Sequence, residues 1–142
     1  MLIEALDLIA ASPPIRALRG SMALYPLVSA AHIAGFGLML GAIATWDIAV
    51  LRGRSPDALA LSLARYGAVL AVAAGIVLFL CRGSIYLANP AFQVKLALLA
   101  LALANVVMAH LRMGQNSVRL NAAASLVLWP STILAGRYTG FL

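Results

Sequence analysis

A long run without a full charge is the feature that most constrains this chain. From Gly20 to Trp46 there is no Lys, Arg, Asp or Glu, and the run is long enough to cross a bilayer core of about 30 Å with some tilt. If the run is a helix with about 100° of rotation per residue, Tyr25 and His32 lie on one stripe of its surface. The stripe continues to Asp47, just beyond the run. The run therefore predicts a first membrane-spanning helix with one polar face.

Small residues form two further patterns. Gly37 and Gly41 lie off the polar stripe at four-residue spacing, which is typical of membrane helices whose backbones approach closely. Gly67, Ala71 and Gly75 repeat this spacing further along the chain. We expect this second ridge to pack against the first span.

Three more uncharged stretches are bounded by basic residues. They lie between Arg65 and Arg82, between Lys95 and Arg112, and between Arg119 and Arg137, with 16, 16 and 17 residues. Each is roughly 24–26 Å long as a helix, slightly short for a bilayer, and the flanking basic side chains can reach the headgroups. The expected fold is all-α, a four-helix transmembrane bundle with spans at about 22–50, 58–81, 91–111 and 119–137 of one domain, 21–142.

Residues 1–20 are predicted to form an interfacial amphipathic helix. Leu2, Ile3, Leu6 and Ile9 recur at helical spacing opposite two acids, and Pro13-Pro14 is expected to end the helix. Because these acids precede the apolar part, the segment does not have the pattern of a secretory signal.

Composition excludes several classes of protein. A chain that is 64% hydrophobic, with a mean hydropathy of +1.02, is not a soluble domain. Its ten Lys and Arg residues are scattered at the ends of apolar runs, which favours lipid headgroups and not nucleic acid as their partners. The one cysteine, Cys81, cannot form an intramolecular disulfide. The expected partners are a lipid bilayer and other membrane protein subunits.

The spans define two ends of the bundle. Side A holds the start of the first span, the connection between the second and third, and the end of the fourth; side B is the opposite end. Loop arginines are slightly more numerous at side B (Arg52, Arg54, Arg112 and Arg119) than at side A (Arg16, Arg19 and Arg82). By the positive-inside rule, side B is predicted to be cytoplasmic, with both termini outside the cytoplasm.

The side-A half contains the candidate cofactor site. An ionisable residue deep in a membrane helix is typical of a functional site, and His32 is such a residue. Lys95 begins the third span at a similar depth, and Tyr25 and Arg137 lie toward the same side. This set suits haem b, with His32 as metal ligand and Lys95 and Arg137 binding the propionates. Met22 and Met39 beside His32 suggest copper as a less favoured alternative.

Other interpretations of these residues stay open. His32 equally fits a buried histidine that is hydrogen-bonded to a neighbouring helix. In that interpretation the protein binds no cofactor and is a structural or assembly subunit of a larger membrane complex. The sequence shows no paired carboxylates, phosphate-binding glycine loop or nucleophile–base motif, so it specifies no enzyme.

At side B, Asp47 is the only acid that adjoins a long apolar run. We expect it to form a structural ion pair with Arg65, Arg112 or Arg119. His110 lies near Arg112, so its depth differs from that of His32 by roughly 15–20 Å at 1.5 Å per residue. The two histidines are therefore not expected to share a haem.

Motifs spread over nearly the whole chain resemble an uncharacterised bacterial family of four-helix membrane proteins. The family pattern is Tyr-Pro, His-x-x-Gly and Asp, then Asn-Pro-x-Phe-x-x-Lys, then Gly-Arg. It is matched here by Tyr25, Pro26, His32, Gly35, Gly41, Asp47, Asn89, Pro90, Phe92, Lys95, Ser125, Trp129, Gly136 and Arg137. Asp-Leu-Arg in that family is Asp47-Ile48-Ala49 in this chain, and Pro130 is atypical. This resemblance implies a location in the bacterial inner membrane.

The chain is also distantly similar to small membrane protoporphyrinogen oxidases and to copper-resistance D-type proteins. This similarity rests on His32 and Lys95 alone. This similarity implies a protein that handles haem or metal, such as an electron-transfer or accessory protein.

Overall fold

The computed structural model describes residues 1–111 and 115–141, with side chains except those of residues 110, 115 and 116. Six helices follow one another: α1 Leu2–Ala10, α2 Pro13–Gly20, α3 Leu24–Leu51, α4 Ala58–Ala88, α5 Pro90–Leu111 and α6 Gln115–Tyr138. Helices α3 to α6 each contain a segment long and apolar enough to cross a membrane. The expected all-α bundle with four candidate spans is confirmed, and the protein is a multi-pass membrane protein.

Helices α3 and α4 meet at a glycine crossing. A Cβ added to Gly35 would lie 2.6 Å from the Ala71 nitrogen, and one added to Gly67 would lie 2.5 Å from the Met39 nitrogen. Both distances are shorter than real Cβ contacts, so only glycine permits this approach of the two backbones. The small-residue ridge of α4 therefore packs against α3, as predicted.

The glycine pair singled out in the first span has a different place. A Cβ added to Gly37 or to Gly41 meets nothing within 4 Å. Gly35 is separated from Gly37 by about 200° around the helix, so the crossing at Gly35 turns the other two outward. They line an open groove of about 450 Å³ together with Leu38, Thr45, Leu59 and Leu63.

Capping residues set the starts of α4 and α5. Asn89 Oδ1 accepts a hydrogen bond from the Ala91 N–H at 2.9 Å, and Pro90 follows as the first residue of α5, an arrangement typical of an Asn-Pro pair at a helix start. Asp57 Oδ1 accepts from the Leu59 N–H at 2.9 Å, so Asp57 is the N-cap of α4. Ser55 before Pro56 also fits the sequence pattern of an N-cap, but the helix begins two residues later.

Helix α4 is longer than expected and is broken near side A. It was predicted to end at residue 81, but helical backbone continues to Ala88 after a break at Arg82, where φ is −148° and ψ is 30°. Arg19 Nη1 donates to the Cys81 carbonyl oxygen beside this break, at 3.5 Å.

The N-terminal segment forms two helices instead of one. The first helix ends at Ala10, shortly before Pro13-Pro14, as expected, but the two prolines also begin α2, because a proline in the first turn lacks only an N–H that has no helical partner there. Leu6 of α1 is buried, and its Cδ2 would lie 3.1 Å from a Cβ added to Gly83 of α4. The N-terminal helices therefore pack against α4 at its break, at side A.

The neighbouring helices run in opposite directions. At side A, Asn89 Nδ2 donates to the carbonyl oxygen of Thr139 at 3.2 Å, which joins the α4–α5 connection to the end of α6. At side B, a Cβ on Gly53 after α3 would lie 3.4 Å from Arg119 Nη2 near the start of α6. Between the two ends, the core contains Met39, Ala102 and Trp129.

Candidate functional site

His32 is held by α4. Its Nδ1 lies 2.7 Å from the carbonyl oxygen of Ala71, one turn from Gly75. A Cβ added to Gly75 would be 2.9 Å from His32 Cε1, so the glycine leaves room for the imidazole. The ridge predicted to pack on α3 thus supplies the backbone crossing, the hydrogen-bond acceptor and the space for the ring.

This hydrogen bond fixes the chemistry of the ring. A carbonyl oxygen can only accept, so Nδ1 of His32 carries the hydrogen and donates it to Ala71. In the neutral imidazole, Nε2 then holds a lone pair. A metal-binding histidine is commonly oriented in this way, with its second nitrogen donating to a backbone carbonyl.

Lys95 lies beside the same aromatic ring as His32. The Phe36 ring is edge-on to the imidazole with centroids 5.2 Å apart, and Lys95 Nζ is 5.9 Å from the Phe36 centroid. Along its stem, Lys95 Cδ and Cε would lie 3.3 Å from a Cβ on Gly136, so the side chain runs across α6 at a glycine. Within the described part of the chain, no carboxylate pairs with Lys95.

An aromatic stack separates Lys95 from the side-A end. The Phe92 ring stacks on Phe79 at 5.9 Å and on Tyr86 at 5.4 Å between centroids, and Lys95 Nζ is 5.8 Å from Phe92. The Tyr25 hydroxyl lies within hydrogen-bonding reach of Tyr86. Tyr25 thus adjoins the stack and not the imidazole.

Arg137 is not brought to this cluster. Its side chain is exposed and its guanidinium lies over Phe141, with Cζ 4.9 Å from the ring centroid. Of the four residues predicted to bind the cofactor, His32 and Lys95 adjoin one ring, whereas Tyr25 and Arg137 lie nearer the bundle end.

Asp47 has a different partner from the one expected. Its side chain is 7% exposed, the Ser125 hydroxyl of α6 lies within hydrogen-bonding reach, and no basic group pairs with it among the residues described. Arg65 and Arg119 are exposed and do not make the expected ion pair. The part of that prediction that concerns Arg112, like the side chain of His110, falls outside the described residues.

The Asp47→Asn substitution is expected to leave the free energy of unfolding unchanged or slightly higher. It removes a buried charge that has no cationic partner among the described residues, and the amide can still hydrogen-bond Ser125. Thermal unfolding in detergent measures the change. Loss of about 3 kcal/mol, the expected result when a buried ion pair is broken, would instead show that a cation depends on Asp47.

Sequence reasoning did not find the contacts that surround the two central residues. Phe36 follows His32 by four residues on the same stripe, so its proximity was available from helical spacing. The contacts of Phe79 and Phe92 depend on how α4 and α5 rotate against each other, for which the sequence holds no equivalent signal.

Comparison of the chain with protein-family models, with curated proteins and with solved structures gave no match.

Proposed function

We propose that this protein binds a haem or a related metal cofactor in the side-A half and serves as a redox or accessory protein of the bacterial inner membrane. The observation that carries the proposal is the hydrogen bond from His32 Nδ1 to Ala71, because it fixes the ring and leaves Nε2 as the nitrogen for a metal. The proposed orientation places side B in the cytoplasm and both termini outside it.

The surrounding residues fit an anionic cofactor. Lys95 is a half-buried cation, no carboxylate in the described ranges pairs with it, and an acidic substituent would balance its charge. Phe36 and Phe92 supply flat apolar surface next to the same ammonium group. His32 would hold the metal and Lys95 a propionate; bound haem supplies one-electron chemistry. His32 is only half-buried, so the cofactor is proposed to reach it from the outer surface of the bundle.

An absorption spectrum of the protein purified from membranes tests the proposal. We expect a Soret band as isolated or after addition of haemin. The band should be lost in His32→Ala and retained in His110→Ala. In Lys95→Gln the affinity for haemin should fall about tenfold or more, since a hydrogen bond to a charged group contributes about 1.5–3 kcal/mol. If no band forms with excess haemin, or if His32→Ala binds haemin as well as the unsubstituted protein, the haem proposal is wrong.

A structural or assembly subunit of a membrane complex is the second candidate function. The observation that favours it is the outward-facing groove at Gly37 and Gly41, because small residues at this spacing let a further helix approach closely. In that case Gly37→Leu or Gly41→Leu should release the protein from a complex purified from native membranes, while the isolated chain stays folded.

A further inference from the structure

Buried polar atoms without partners occur on α3 and α6 between side B and the middle of the bundle. Asp47 is 7% exposed, Ser125 is 5% exposed and Trp129 is 4% exposed. Within the described chain, Asp47 Oδ2 and Trp129 Nε1 have no hydrogen-bond partner. Asn121 Nδ2, one turn from Ser125 toward side B, is a third such atom. Buried polar groups rarely stay unpaired in native proteins, so these atoms indicate a bound molecule.

Helix geometry directs the Asp47 and Trp129 side chains toward each other along the bundle. Ser125 is within hydrogen-bonding reach of Asp47, and Trp129 follows Ser125 by one turn of α6. Helical side chains lean toward the start of their own helix. Because α3 and α6 are antiparallel, Asp47 leans toward the level of Trp129, and Trp129 leans back toward Ser125. An unpaired acceptor and an unpaired donor thus approach the same space from facing helices.

The charge of Asp47 restricts what can occupy this space. An ionised carboxylate buried in a membrane helix bundle is costly unless it is neutralised. The nearby charged groups are exposed and none pairs with Asp47 in the described ranges: Arg52 and Arg54 after α3, Asp57 and Arg65 at the start of α4, and Arg119 on α6. The unpaired atoms of Trp129 and Asn121 are N–H hydrogen-bond donors, which are poor ligands for a metal ion. A proton and a water molecule match the donors and acceptors better.

We propose that Asp47, Ser125 and Trp129 form a hydrated proton-binding site that exchanges protons with water at side B. With Ser125 next to one carboxylate oxygen, Oδ2 is the oxygen that takes the proton. One water molecule can serve both protonation states of Asp47 by reorienting. When Asp47 is ionised, the water donates a hydrogen bond to Oδ2 and accepts one from the Trp129 indole N–H. When Oδ2 is protonated, the water accepts hydrogen bonds from the Oδ2 hydroxyl and from the indole N–H. In this step the proton passes between water and Oδ2, and no other bond changes.

This site is separate from the proposed haem site. His32 and Asp47 are 15 residues apart in α3, or roughly 22 Å at 1.5 Å per residue. The proton site therefore depends neither on cofactor binding nor on the role of Lys95.

Infrared spectroscopy of the full-length protein in lipid nanodiscs tests the proposal. The chain has three aspartates, Asp7, Asp47 and Asp57. An Asp7→Asn/Asp57→Asn variant labelled with 13C-aspartate therefore reports on Asp47 without altering it. We expect the labelled carboxylic-acid C=O band to exchange with the carboxylate bands across a pH series and to shift in D2O. Trp129→Phe, which removes the indole N–H, should shift the C=O band, and Asp47→Asn should abolish it.

Three results would overturn the proposal. If no acid band appears at any pH at which the helical spectrum persists, Asp47 binds no proton. A band that does not shift after prolonged incubation in D2O shows a dry site. A band that appears only when sodium is replaced by choline shows a metal-cation site instead.

Discussion

Alanine at Gly35 or at Gly67 is expected to be the most destabilising single-methyl addition in the bundle. Each new Cβ would approach backbone nitrogen of the facing helix to 2.6 or 2.5 Å, and backbone cannot rotate away as a side chain can. Helices α3 and α4 must separate, which we expect to lower the free energy of unfolding by about 2–3 kcal/mol for each substitution. Reversible unfolding in mixed detergent micelles measures the loss.

The same helix offers matched controls for this prediction. Gly37→Ala and Gly41→Ala add a methyl group to open space and should change the free energy of unfolding by less than about 0.5 kcal/mol in the isolated protein. The Gly35→Ala/Gly67→Ala variant should lose less than the sum of the single losses, because the first methyl group already separates the helices. Equal effects at Gly35 and Gly37 would show that the α3–α4 crossing is elsewhere.

Gly75→Ala is expected to displace the imidazole of His32. The added Cβ would lie 2.9 Å from Cε1 and 3.1 Å from Nδ1, so the ring must move and its 2.7 Å hydrogen bond to Ala71 is lost. We expect a loss of about 1–2 kcal/mol in the free energy of unfolding and, if the proposed haem is bound, at least a tenfold weaker affinity for haemin.

A double-mutant cycle separates this contact from general damage to α4. In a His32→Ala background the Gly75→Ala substitution has no ring to displace, so its cost should fall to within about 0.5 kcal/mol of zero. If Gly75→Ala costs as much without the imidazole as with it, the glycine is needed by some other contact of α4.

The sequence predicted what depends on composition and local pattern. The four spans follow from the spacing of charges, and the Asn89 cap follows from a side chain that bonds its own neighbours. Whether Gly35 or Gly37 makes the crossing could not be predicted, because both are small and the choice depends on the rotation of α3 against α4. For the same reason the contact of Asp47 with Ser125, far apart in the chain, was not found, and a local charge count suggested arginine partners instead.

The site around His32 is divided between two helical hairpins. His32 is fixed to Ala71 within the α3–α4 hairpin, whereas Lys95 lies on Gly136 within the α5–α6 hairpin. Contact between the two residues runs through Phe36, whose ring adjoins both without a hydrogen bond to either. A sliding movement of one hairpin against the other would therefore change the distance from the imidazole to the ammonium group while each hairpin kept its own contacts. Spin labels on α4 and α5 would register such a displacement.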